Sequence, residues 1–164
     1  MWVQGNEVKF HHIIKMGPVK DWREGVYRIR AIKDELAYVL YSEVSLYIKC
    51  IVLEGYSYGS RFQSHQLGEV GYMFRDYLLD LFPSKFYVVP PKTLVKFTTG
   101  NGNSKKKDVA EKLQSMGIEL PTSHHYDACS AAMFAQGICT REGLSKPQIA
   151  VLEKYLGRNE RFRQ

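Results

Sequence analysis

Apolar residues recur along this chain with two different spacings, and each spacing predicts an element. Behind Asp21, Val26, Ile29, Ile32, Leu36, Val39 and Leu40 fall at three- or four-residue steps. That stripe predicts a helix through about Tyr41, with Asp21 as its N-cap. Leu67, Val70, Phe74, Tyr77, Leu78 and Leu81 repeat the pattern, predicting a helix over Leu67–Phe82 that Pro83 ends. In contrast, Leu46–Leu53 is a nearly continuous, β-rich apolar run that stops at Glu54-Gly55, as a buried central strand does. Phe86–Val89 is a second short strand, closed by Pro90-Pro91. Met1–Val3 and Val8–Ile14 flank the turn-like Gln4–Glu7 and predict an antiparallel hairpin. Further helices are expected at about Ser104–Met116, Asp127–Gln136 and Lys146–Leu156, with a charged tail over Arg158–Gln164. The order β-β-α-β-α-β followed by helices predicts an α/β fold, a mixed sheet flanked by helices.

Composition narrows the class. The 164 residues suit one compact domain, and 45% hydrophobic content excludes wholesale disorder. No apolar run approaches the roughly 20 residues of a membrane span, and the polar N-terminus does not fit a signal peptide. Cys50, Cys129 and Cys139 form no even framework and no C-x-x-C pair, so they read as reduced thiols in a cytoplasmic setting. A net charge of +6 hints at a polyanionic partner such as nucleic acid.

Three segments carry candidate chemistry. Glu54 directly follows the apolar strand, and ligands of α/β sheets bind at strand C-termini. Gly55 permits close backbone approach, and Tyr56 and Tyr58 offer faces on which unpaired bases could stack. The competing readings are a solvated strand-end acid and tyrosines that simply pack. In Ser123–Ala128, His124 and Asp127 stand three apart at a helix start and share a face. With Glu54 they would suit a hard cation, Mg²⁺ or Mn²⁺, although Asp127 alone is equally a helix cap. A zinc site from His11, His12, His124, His125 and Cys129 is weaker, because zinc-type spacing is missing. Finally, Lys92–Lys107 combines Lys92, Lys96, Lys105, Lys106 and Lys107 with glycines and hydroxyl residues, a phosphate-contacting composition without P-loop spacing. Its plain alternative is a solvated lysine-rich loop.

Taken in order, these segments resemble the RuvC-like Holliday-junction resolvases, particularly the compact phage-type members. The resemblance rests on Ile51-Val52-Leu53-Glu54-Gly55-Tyr56-Ser57-Tyr58-Gly59-Ser60, on Val89-Pro90-Pro91 through Lys96, Gly100-Asn101-Gly102 and Lys106, and on His124-His125-Tyr126-Asp127-Ala128. It spans about Arg28 to Gln136. It implies an RNase H-like domain over residues 1–140 with a C-terminal helical extension over 141–164. It also implies a Mg²⁺-dependent endonuclease that resolves branched DNA by two-metal hydrolysis, with Mn²⁺ as substitute. Glu54, His124 and Asp127 would be metal ligands and catalytic residues. Lys96 and Lys106, with Lys92, Lys105 and Lys107, would hold the junction backbone, and Tyr56 or Tyr58 would stand near the crossover. The resemblance further implies a homodimer in the cytoplasm of a bacterial or phage-infected cell. Leu67–Phe82 is expected to form part of that interface, because Tyr72 and Met73 lie off its core stripe.

One departure bears on activity. The family's first metal ligand is an aspartate on an opening strand, whereas Met1-Trp2-Val3 is similar to the family's second strand. The acids before the first helix are Glu7, Asp21 and Glu24, and none follows a buried strand. On this reading the opening strand is missing, and the second cation would be held poorly. The alternative function is therefore a non-catalytic, structure-specific branched-DNA-binding protein. A nucleotide-binding domain of the actin or kinase type is a third, weaker reading.

Overall fold

A computed structural model describes residues 2–4, 7–10, 14, 20–41, 48–55 and 64–159. Strands β1 (Trp2–Gln4) and β2 (Glu7–Phe10) pair antiparallel, with Val3 opposite Val8, Gln4 opposite Glu7 and an irregularity between Trp2 and Val3. Strands β3 (Ile51–Glu54) and β4 (Phe86–Val89) form a separate two-stranded parallel sheet. Six helices among the described residues make the fold a mixed α/β one, mostly helical: α1 (Trp22–Val39), α2 (Ser64–Leu81), α3 (Pro91–Thr99), α4 (Lys106–Gln114), α5 (Ser123–Thr140) and α6 (Lys146–Asn159). None of the described helices is long and apolar enough to cross a membrane.

The chain divides into two units. One comprises Met1–His11, Cys50–Ser57 and Tyr87–Gln164, and its core is built around α5. That helix buries Tyr126, Cys129, Ser130, Ala131, Met133, Phe134, Ala135 and Gly137, residues that go most of the way round its axis. A helix apolar on all sides must be surrounded, and α5 packs against β1, β3, α3, α4 and α6. Phe134 is enclosed edge-to-face by Phe97 at 5.0 Å and Tyr155 at 5.4 Å between ring centroids. Gly137 lets α6 approach: a Cβ there would stand 2.9 Å from Leu152 Cδ1 and 3.1 Å from Leu144 Cδ1. Helix α6 adds Val151, Leu152 and Tyr155 to the core, and the Tyr155 hydroxyl donates to the Val88 carbonyl at 2.9 Å. Helix α6 is thus packed into the same core as α3 and α5.

The other unit, His12–Lys49 and Tyr58–Phe86, contains α1 packed on α2. Asp21 caps α1, its carboxylate accepting from the Arg23 and Glu24 amides at 2.8 and 2.9 Å. The Glu24 carboxylate in turn accepts from the Lys20 amide at 2.8 Å. Lys33 lies over the Tyr77 ring, 4.9 Å from its centroid. Tyr72 is 70% exposed, so it stands off the packed face of α2 as its spacing predicts.

Two stretches differ from the pattern-based expectation. Residues 91–99 are helical rather than part of a lysine-rich loop. Pro91 occupies the first turn, where its missing N–H costs nothing, and Leu94, Phe97 and Thr98 turn inward at i, i+3 and i+4. Gly100, at φ 85°, ends α3 in the left-handed region. Helix α5 also begins four residues earlier than Asp127 and ends four later than Gln136. Residues 46 and 47 of the expected central strand lie outside the described residues. Phe134→Ala should cost about 3–5 kcal/mol in urea unfolding; a loss under about 1 kcal/mol would contradict this core.

Candidate functional site

Glu54 is the last residue of β3 because the chain closes on β4 immediately after it. The Gly55 amide donates to the Val89 carbonyl at 2.8 Å, and a Cβ on Gly55 would stand 3.4 Å from both Val88 Cγ1 and that carbonyl oxygen. From Val89 the backbone passes through Pro90 straight into α3, whose Pro91, Leu94 and Val95 line a small pocket. Glu54 lines it from β3, and Asp127 and Ser130, one turn apart, line it from α5. Three segments far apart in sequence therefore supply one site.

A lysine joins the two carboxylates. Lys106 is the first residue of α4, which packs on α5, and its Nζ donates to Asp127 Oδ2 at 2.7 Å. The Lys105 amide donates to the Asp108 carboxylate at 2.8 Å, fixing the turn that presents Lys106. The ammonium is 62% exposed and Asp127 24%, so the pair adds little to stability, in line with the roughly 0–1 kcal/mol of surface ion pairs. Its electrostatic effect is local. The Glu54 carboxyl lies above the ordinary glutamate range, chiefly because its surroundings partly desolvate it and then because Asp127 is negative; Lys106 pulls the other way. Glu54 still presents much of its surface to solvent.

Other expected site residues lie elsewhere. His124 is exposed and does not line the pocket. The next residue, His125, is buried instead, with Nδ1 2.8 Å from Thr122 Oγ1. Tyr126 is also buried, and its hydroxyl accepts from the Leu120 amide at 3.1 Å and from Gln114 Nε2 at 3.0 Å, tying down the start of α5. Asp127 does not cap α5; Thr122 occupies that position. Lys92, Lys96, Lys105, Lys106 and Lys107 are all exposed, with Lys107 3.4 Å from Glu111. Gly102 folds back onto α3: a Cβ there would meet the Lys92 carbonyl oxygen at 3.0 Å and Lys96 Cβ at 3.6 Å. Tyr56, Tyr58, His11 and His12 lie outside the described residues. Ser130, absent from the sequence-based set, stands three residues after Asp127, a spacing that could have found it.

The donor set fits one hard cation better than two. Mg²⁺ is commonly held by one or two carboxylates, with water and substrate phosphate completing its shell, and Glu54 and Asp127 are the residues that would supply those oxygens. Among the described residues, no group of three or more His, Cys, Asp or Glu side chains is placed to hold a metal ion. Protein-family models, curated proteins and solved structures were all compared with this chain, and none matches it.

Because Glu54 is harder to ionise in the folded than in the unfolded chain, its charge disfavours folding above its folded-state titration. Glu54→Gln should therefore be neutral to slightly stabilising at pH 7, within about 0.5 kcal/mol for so exposed a group. That advantage should fade as pH falls through the ordinary carboxylate range, where wild-type Glu54 is itself protonated. Thermal melts at pH 7 and pH 4 measure it, and a variant clearly less stable at pH 7 would contradict the arrangement.

Proposed function

We propose that this protein is a Mg²⁺-dependent, structure-specific endonuclease of the Holliday-junction resolvase class, with an RNase H-like domain. The observation that carries the reading is the meeting of Glu54 and Asp127 at one pocket, with Lys106 paired to Asp127. Each comes from a different one of the three segments that resemble the resolvases.

Glu54 and Asp127 would hold the cation, which when bound supplies activation of water and stabilisation of the leaving 3′ oxygen. Lys92, Lys96, Lys105 and Lys107 are exposed, Lys107 beside Glu111, and would meet backbone phosphates, positioning the strand without reading its sequence. Lys106 has two possible anionic partners, Asp127 and a phosphate of the substrate. Its exposure lets it exchange one for the other. Resolving a junction symmetrically requires two such sites, and a two-fold homodimer supplies them. Tyr72, exposed on α2, fits a place in that interface.

One observation favours the second reading, junction binding without cleavage. Two carboxylates, one of them already paired with an ammonium, are fewer anionic ligands than a two-cation site requires. A synthetic four-way junction incubated with Mg²⁺ or Mn²⁺ separates the readings. For the nuclease, Glu54→Gln should lower cleavage by on the order of 100-fold or more, as loss of one charge-stabilising group does, while junction binding is kept. Salt-sensitive binding with no cleavage by the wild type would select the binding protein. Absence of both would overturn the DNA reading.

A further inference from the structure

We propose that Cys50 and Cys139 form a reversible disulfide that staples the start of β3 to the last turn of α5. Cys139 is the neighbouring group that acts on the Cys50 thiol, by charge and by a side-chain hydrogen bond. The packing of the two elements independently leads to the same register. Strand β3 lies against α5, and Glu54 at its far end and Asp127 near the start of the helix line one pocket. The two elements therefore run antiparallel. From Glu54 back to Cys50, the residue before β3, is roughly 13 Å at the strand rise of about 3.3 Å per residue. From Asp127 forward to Cys139 is roughly 18 Å of helix at about 1.5 Å per residue. These similar spans bring the two cysteines to the same end of the contact.

The two positions differ in access, and that difference assigns their roles. Cys139 is exposed, Cys50 is half-buried, and Cys129 is enclosed in the core. Burial, and then the neighbouring Cys139 thiol, push Cys50 up to about 12, which keeps it protonated beside its partner. Cys139 is therefore the group that meets a peroxide. Its thiolate attacks the O–O bond, taking one oxygen as sulfenic acid and releasing the other as hydroxide, which is protonated to water. Cys50 sulfur then attacks the sulfenic sulfur: the S–S bond forms, the S–O bond breaks, and the Cys50 proton leaves with the oxygen as a second water. Two thiols and one peroxide give one disulfide and two waters. A small dithiol reverses the change by exchange.

The bridge would join positions separated by 139 − 50 = 89 residues. It would restrict the unfolded chain strongly and fix the spacing of the two elements that carry Glu54 and Asp127. The inference does not depend on any role in DNA cleavage.

The test uses the reduced, full-length protein treated under native conditions with a small excess of hydrogen peroxide. The expected product is a monomer lighter by two hydrogens, whose proteolytic map contains a Cys50–Cys139 linked peptide. Its melting temperature should rise by several degrees and return on reduction. Cys139→Ser, at an exposed position, should give neither the linked peptide nor the shift. A Cys139 sulfinic acid, a disulfide between two chains, or a linked peptide containing Cys129 as the main product would each overturn the proposal.

Discussion

The packing of β3 against α5 is the contact on which the described site depends. Helix α5 is lined with alanine, serine, glycine and cysteine as well as larger apolar residues, so neighbours can approach it from most directions. Phe134 locks its middle between Phe97 and Tyr155, and Gly137 allows α6 to close over it. Tyr126 and His125 pin its start. With α5 so constrained, Asp127 and Ser130 have fixed positions relative to the end of β3, and Glu54 meets them there.

That meeting is electrostatically unfavourable on its own. Two carboxylates share a partly desolvated space, and Glu54 responds by holding its proton more tightly than a free glutamate. Lys106 offsets part of the repulsion by pairing with Asp127. The result is a carboxylate pair whose repulsion one exposed ammonium offsets only in part. Around it, α3 and α4 display further lysines on surfaces whose buried faces belong to the core. The basic side chains of α3 and α4 and the acidic pair of β3 and α5 are thus positioned by one core.

Much of this was legible in the sequence. The stripe behind Asp21 and the stripe over Leu67–Phe82 gave α1 and α2, because each buries one face and leaves the other polar. Glu54 stood out because it interrupts an apolar strand. Helix α3 was hidden: prolines, threonines and lysines made it look like surface, and only the burial of Leu94 and Phe97 makes a helix favourable there. Helix α5 lost its ends to the same cause, since Ser123-His124-His125-Tyr126 is polar in composition while two of its members are buried. The adjacent histidines show how far a pattern reaches. Successive helical positions are about 100° apart, and it is His125, not His124, that turns inward.

The most direct test of the account is an NMR titration of the Glu54 side-chain carboxyl in the wild type and in Asp127→Asn. If β3 and α5 bring the two carboxylates together, Glu54 titrates above the ordinary glutamate value in the wild type and moves down when the Asp127 charge is removed. An ordinary value, unchanged by Asp127→Asn, would mean that the two groups do not share a site.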